Sequence, residues 1–261
     1  MNRIENLDYI LGVLMREQEV HTAMPGTLKE KQRLMRALMN TRPPWPASDE
    51  FLAAQDRELQ LQLQEKGIVE LDPDVMLWQG DITRLKVDAI VNAANSQMMG
   101  CWHPLHACID NCIHSAAGIQ LRAECAEAMS GAECPPVHPE YTMDGVTYRE
   151  AFTSEALITK AYNLPCRYVI HTVGPIVQDG RPTPKQREQL ADCYRNCLGL
   201  AEAGGCRSIA FCCISTGVFG YPNREAAKVA VEVCREARIR VVFNVFKDID
   251  YDIYRELLGK D

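Results

Sequence analysis

Two patterns of apolar positions divide this chain near residue 70. Before it, Ile4, Leu7, Ile10, Leu11 and Leu14 recur at helical spacing, and Leu28, Leu34, Leu38 and Met39 repeat that period in a second stretch starting near Thr27. Residues 42–48, Arg-Pro-Pro-Trp-Pro-Ala-Ser, form a rigid break, and Asp49 is placed to cap a third helix reaching about Lys66. Residues 1–70 are therefore predicted to be a small helical extension. No chemistry-bearing motif stands in it, and its expected role is to pack against the rest.

From residue 71 the period changes. Short apolar runs at 75–78, 89–91, 156–158, 168–170, 209–214 and 241–246 alternate with helical patterns at 109–129, 183–203 and 223–237. Such runs suit strands buried on both faces, and strands alternating with helices imply an α/β layer fold with a mostly parallel sheet over 71–261. Ligands of such sheets bind where strands end and loops begin. The segment 131–149, rich in Pro, Gly, Glu and Tyr, shows no period and is expected to be an ordered loop or insertion.

Composition narrows the partners. A hydrophobic share of 47% supports a sizeable core, and a net charge of -7 without a basic stripe speaks against nucleic acid. The first twenty residues, MNRIENLDYILGVLMREQEV, carry charges within their apolar stretch and do not resemble a signal peptide. No apolar run is long enough to span a membrane. The expectation is a cytoplasmic protein whose 12 cysteines are mostly buried free thiols, with a few available as metal ligands.

Three motifs carry the chemistry, each at a predicted strand end. They are Gln-Gly-Asp-Ile-Thr at 79–83, Val-Asp-Ala-Ile-Val-Asn-Ala-Ala-Asn-Ser at 87–96, and Cys-Cys-Ile-Ser-Thr-Gly-Val-Phe-Gly-Tyr-Pro at 212–222. In the last, Ser215, Thr216, Gly217, Val218, Phe219 and Gly220 can form an anion cradle. Gly217 and Gly220 admit backbone angles closed to other residues, so that successive N–H groups converge. Between the second motif and a helix lies a loop dense in thiols and imidazoles, Cys101, His103, His106 and Cys108, and Cys112 and His114 follow within the helix. These are good zinc donors, and zinc prefers four tetrahedral ligands. Three protein ligands would leave the open position of a catalytic site; a fourth from His103 or Cys112 would make a structural clip. His114 is expected to face the core or cap a neighbour. Asp110, at a helix start, suits either the helix dipole or general-base work.

The order and wording of the three motifs resemble the macrodomain family over about residue 71 to the C-terminus. The Cys/His loop before Ile-Asp-Asn-Cys-Ile-His resembles its zinc-dependent microbial subgroup, where other macrodomain hydrolases carry a glycine run. The resemblance implies a three-layer α/β/α fold with a mostly parallel mixed sheet, and one zinc ion held by Cys101, His106 and Cys108. It places Asp81 and Ile82 on the adenine, with Asn244 and Phe246 lining that pocket. Ile109, Asp110 and Asn111 would contact the ADP-ribose, and Asn95 would face the distal ribose while Asn92 holds the loop. Asp110 and Asn95 become the catalytic residues of a glycosidase-type enzyme that releases ADP-ribose from a mono-ADP-ribosylated protein side chain, in all expectation a carboxylate. The modified protein implied is a lipoyl-carrier protein, the product of a sirtuin-type transferase. A non-catalytic ADP-ribose reader and an O-acetyl-ADP-ribose deacetylase share the same pocket; an RNA-binding macrodomain fits the acidic balance poorly.

Overall fold

The computed structural model describes residues 2–130 and 138–259. Three helices lead: α1 (Arg3–Glu17), α2 (Leu28–Thr41) and α3 (Asp49–Lys66). Asn2 with Glu5, and Thr27 with Glu30, form reciprocal capping boxes that satisfy the first free N–H groups of α1 and α2. The cap of α3 is Ser48 rather than the predicted Asp49. Ser48 Oγ accepts from the Phe51 N–H (3.2 Å), and Asp49 is already helical. The Pro-rich break is rigid for a reason the pattern did not show. It wraps the buried Arg42 guanidinium, which donates to the Pro43, Trp45 and Pro46 carbonyls and to Glu17.

The apolar stripes of these helices enclose a core of their own, including Leu7, Ile10, Leu11, Leu14, Met35 and Phe51. Burying each such side chain is worth about 1.5–3 kcal/mol, which a short helix could not obtain alone. Ile119, from beyond the extension, completes this core and ties it to the rest of the chain.

The remainder carries β1 (Leu77–Gln79), β2 (Ala89–Ala94), β3 (Glu140–Met143), β4 (Val146–Arg149), β5 (Ala156–Lys160), β6 (Tyr168–Val173), β7 (Ser208–Phe211) and β8 (Arg240–Val245). Six strands form one sheet in the order β1-β8-β7-β2-β6-β5. Every neighbouring pair is parallel except β5 with β6. Helices α4 (Ile109–Ala117) and α5 (Ile119–Met129) lie on the side of the extension. Helices α6 (Pro184–Ala203), α7 (Asn223–Cys234) and α8 (Asp248–Leu257) pack together as a second layer. This is the expected three-layer α/β/α arrangement with a mostly parallel mixed sheet.

The sequence pattern missed some details. The expected helix over 109–129 breaks at Gly118 into α4 and α5. The apolar run 209–214 leaves the sheet after Phe211, and its last residues enter the loop at the carboxyl end of β7. Within the unassigned 131–149 stretch, β3 and β4 form a hairpin across Asp144-Gly145, a turn dipeptide between alternating residues that could have been read as such. Residues 131–137 lie outside the described residues. Helix α8 was not anticipated. Among the described residues, no helix is long and apolar enough to cross a membrane, and the cysteines are free thiols.

Candidate active site

Because β1, β2, β6, β7 and β8 run parallel, their carboxyl ends share one edge of the sheet. The loops beyond them line one cleft of about 1340 Å³, reached by Asp81, Asn95, Gly174, residues 215–219 and Phe246. The extension supplies part of the wall, with Lys29, Arg33 and Arg36 from α2 and Lys66 from α3.

The 215–220 loop has the properties of an anion cradle. The N–H groups of Gly217, Val218 and Phe219 make no hydrogen bond among the described residues. Ser215 is buried, with φ 66, and its Oγ has no partner among the described residues. Gly220, φ 69, closes the turn where a Cβ would stand 2.6 Å from the Val177 carbonyl oxygen, so only glycine fits. The Phe219 carbonyl accepts from the Val177 N–H (2.7 Å), which anchors the loop from behind. One expectation needs correction. Gly217 does not use a left-handed backbone and faces open space; the left-handed positions are Ser215 and Gly220.

At the far strands, Asp81 caps a short turn, its Oδ1 accepting from the N–H and hydroxyl of Thr83 (3.0 and 2.6 Å). Half-burial would raise its carboxyl, but the Thr83 hydrogen bonds and Lys66, 3.4 Å from Oδ2, hold it below the usual range. The Ile82 side chain belongs to the core while the residue borders the cleft. Asn244 is buried and donates to the Gly80 carbonyl (3.0 Å). Phe246 is 76% exposed at the cleft, so its ring is not spent on core packing.

The Cys/His loop brings three donors together. Cys101 Sγ, His106 Nδ1 or Nε2 and Cys108 Sγ lie within 4.8 Å of one another. Cys101 Sγ stands 3.5 Å from His106 Nδ1. Zinc–sulfur and zinc–nitrogen bonds of usual length, set at a tetrahedral angle, demand an edge of about 3.6 Å. The donor types and spacing therefore fit zinc, through Nδ1. Neither His103 nor Cys112 belongs to the group. Cys108 is also the N-cap of α4, its Sγ accepting from the Asn111 N–H (3.4 Å). Burial pushes its thiol up to about 12, against the Asn111 N–H bond, which lowers it, while the neighbouring Cys101 and Asp110 raise it further. At the loop's start, Gly100 has φ 84, and a Cβ there would lie 2.7 Å from His114 Cγ.

Asp110 borders the same cleft and is 4% exposed. Its Oδ1 accepts from Asn92 Nδ2 (2.7 Å), and Oδ2 has no partner among the described residues. Burial raises its carboxyl to about 6, against the hydrogen bond from Asn92 and the charge of Arg122. Asn92 is thus more than a loop residue. It also donates to His171 Nδ1 (3.0 Å), which puts the His171 proton on Nε2, facing Thr159 Oγ1 (3.1 Å). Burial holds His171 down to about 3 and His114 well below its ordinary value. His114 is buried in the core, as expected.

The other predicted residues divide. Ile109, Thr216, Val218 and Asn95 border the cleft. Asn95 commits both side-chain ends to its own loop, donating to the Gly100 carbonyl (3.1 Å) and accepting from the Gln97 N–H (3.0 Å). Asn111 does not border the cleft; it is fully buried and donates to the His103 carbonyl (2.9 Å). Arg36 was missed, because nothing in a lone helical period marks a cation that will face another unit.

Comparison with known proteins agrees with this architecture. The Macro domain pattern matches residues 91–230, more than half of the chain. A protein from Treponema medium named protein-ADP-ribose hydrolase is 44% identical, covering 99% of this chain and all of that one. A Staphylococcus aureus protein of the same name is 40% identical over 98% of this chain and 96% of its own. The Trypanosoma brucei macrodomain, solved in complex with ADP-ribose, superposes with a TM-score of 0.60 at 28% identity, covering 90% of this chain and 97% of that one. With its motifs at the cleft, its layered sheet and these relatives, the chain belongs to the Macro domain family.

Proposed function

We propose that this protein is a zinc-dependent mono-ADP-ribosyl hydrolase that frees ADP-ribose from a modified acidic side chain of another protein. The observation that carries this reading is the placement of Cys101, His106 and Cys108 beside the buried Asp110 in the cleft that also holds the 215–219 amides. The names of the treponemal and staphylococcal relatives, and the ADP-ribose in the trypanosomal structure, support it.

In this reading the pyrophosphate sits on the N–H groups of Gly217, Val218 and Phe219, with the adenine toward Asp81 and Phe246. Held there, the distal ribose reaches Asp110 already oriented, which removes much of the entropy of a bimolecular encounter. Cys101, His106 and Cys108 would hold a zinc ion, which when bound would supply Lewis-acid polarisation near the distal ribose. Asp110 Oδ2 takes a proton from the attacking water as the water oxygen bonds to C1″. The bond from C1″ to the side-chain oxygen breaks, and its electron pair leaves with the carboxylate. Positive charge builds on the ribose in the transition state, which the ionised Asp110 favours. Asn92 keeps the carboxylate aimed, and Asn95 shapes the loop around the sugar.

The test is to incubate the pure protein with a mono-ADP-ribosylated protein, a lipoyl-carrier protein modified by a sirtuin-type transferase being the first choice, and to measure free ADP-ribose. Release by the wild type that disappears in Asp110→Ala supports the enzyme. Tight ADP-ribose binding with no release from any modified protein would leave only a reader.

A further inference from the structure

We propose that Arg36 and Asn40 on α2 are positioning residues for the zinc-donor loop, so that the helical extension is a working part of the metal site. The inference rests on the zinc reading above and adds to it the part of the chain in which the sequence showed no chemistry.

The donor loop has little regular structure of its own between Gly100 and α4. Its shape comes from contacts to its backbone on either side of His106. The Leu105 N–H donates to Asn40 Oδ1 (3.0 Å). Leu105 has φ 59, a left-handed backbone that a leucine keeps only where its surroundings impose it. The next carbonyl, of His106 itself, accepts from an Arg36 guanidinium nitrogen at 2.8 Å. The same nitrogen donates to Asn111 Oδ1 (2.7 Å), whose amide reaches back to the His103 carbonyl (2.9 Å). Asn40 Nδ2 also donates to Ser115 Oγ (2.9 Å), which fixes α2 to α4. Thus backbone groups at 103, 105 and 106 are all held by α2, directly or through Asn111.

The consequence is specific. His106 is the donor between two thiols, and its ring direction follows from the backbone that Arg36 and Asn40 hold. Residues that orient a metal ligand from outside the coordination shell commonly change metal affinity about 10- to 100-fold when removed. Among the described residues the anion loop has no hydrogen bond to α2, so it is spared.

The experiment compares wild type, Arg36→Met, Asn40→Ala and Arg36→Lys, each stripped and reloaded with zinc. Zinc affinity is read by competition with a chromogenic chelator, and ADP-ribose binding of the metal-free proteins by calorimetry. Arg36→Met and Asn40→Ala are expected to bind zinc at least about 10-fold more weakly; Asn40 does not border the cleft, and ADP-ribose affinity of metal-free Asn40→Ala should stay within about 2-fold of wild type. Arg36→Lys, which keeps the charge on a shorter side chain, should fall between. Arg16→Met, exposed on α1 and away from the cleft, is the control and should match wild type. Wild-type zinc affinity in both Arg36→Met and Asn40→Ala overturns the inference and leaves the zinc reading intact. A wild type that takes up no zinc overturns both. Should Arg36→Met lower the thermal midpoint of the metal-free protein, Arg36→Lys and Asn40→Ala decide the matter by the same two affinities.

Discussion

The loops at 101–110 and 215–220 line one cleft but owe their shapes to different sources. The anion loop is held by the sheet domain itself. It leaves β7, turns through Gly220 and is pinned at Val177, and among the described residues its main-chain amides at 217–219 are without partners. The donor loop is held by side chains from elsewhere: Asn40 and Arg36 from the extension, and Arg122 from α5, which donates to the Met99 carbonyl (2.8 Å) and stacks 4.0 Å from the Trp102 ring. A backbone site tolerates side-chain change so long as its turns can form. A side-chain site depends on several distant residues at once and is easier to lose.

Substitutions should separate the two loops. The largest effect belongs to Asp110→Ala. ADP-ribose release should fall by about 10²- to 10⁴-fold, the usual worth of a general base, while ADP-ribose still binds by calorimetry. Retained turnover would remove Asp110 from the chemistry. Next, Cys101→Ala should abolish stoichiometric zinc in elemental analysis and lower release at least about 10-fold, with the anion loop unaffected. Gly220→Val is the reverse probe. Its side chain meets the Val177 carbonyl in a left-handed backbone, so stability should drop by about 1–3 kcal/mol and ADP-ribose binding should weaken, with zinc content unchanged. Equal zinc loss in Gly220→Val would erase the distinction between the loops.

Acid provides a milder probe. His114 and His171 lie beneath the donor loop, with Asp110, Cys125 and Arg122 as their ionisable neighbours. Both are neutral in the fold and would protonate on unfolding near 6.5, so the unfolded state binds more protons below that pH. Their contribution is complete above 6.5 and is lost as pH falls toward about 3, by at most about 1.4 kcal/mol per pH unit for each ring. Asp110, raised to about 6, acts in the opposite sense between its unfolded value of 3.8 and 6, one group against two. Hydrogen-exchange protection factors at residues 98–114 should therefore fall on acidification before those of α7. The smallest effect is expected for Phe246→Ala, which should cost ADP-ribose affinity about 0.5–1.5 kcal/mol through lost stacking and leave stability unchanged, since that ring is exposed.

Much of this was legible beforehand where chemistry follows from neighbours in the chain. The period change near residue 70 marked the extension, the apolar runs marked the buried strands, and the resemblance to the zinc-dependent subgroup singled out Cys101, His106 and Cys108 among six candidate donors. Less legible were features set by distant partners. Asn92 looked like a loop residue because Asp110 is 18 positions away, and they meet only when β2 lies beside α4. Asn111 was expected as a ligand contact from the family resemblance, yet a helix turns its neighbours to different sides, and Asn111 points to Arg36. Gly217 and Ser215 exchanged backbone roles, since a left-handed residue is chosen by the path of the whole loop.

By itself, then, the sequence determined the layered α/β architecture, the strand-end position of the motifs and the donor types in the loop. These depend on hydrophobic periodicity and on residue chemistry, which are local properties. Only the tertiary structure decided that α2 braces the donor loop, that Asn92 grips Asp110, and that the Asp110 carboxyl is buried enough to rise to about 6. Those depend on which surfaces exclude water from one another, and packing between segments far apart in the chain sets that.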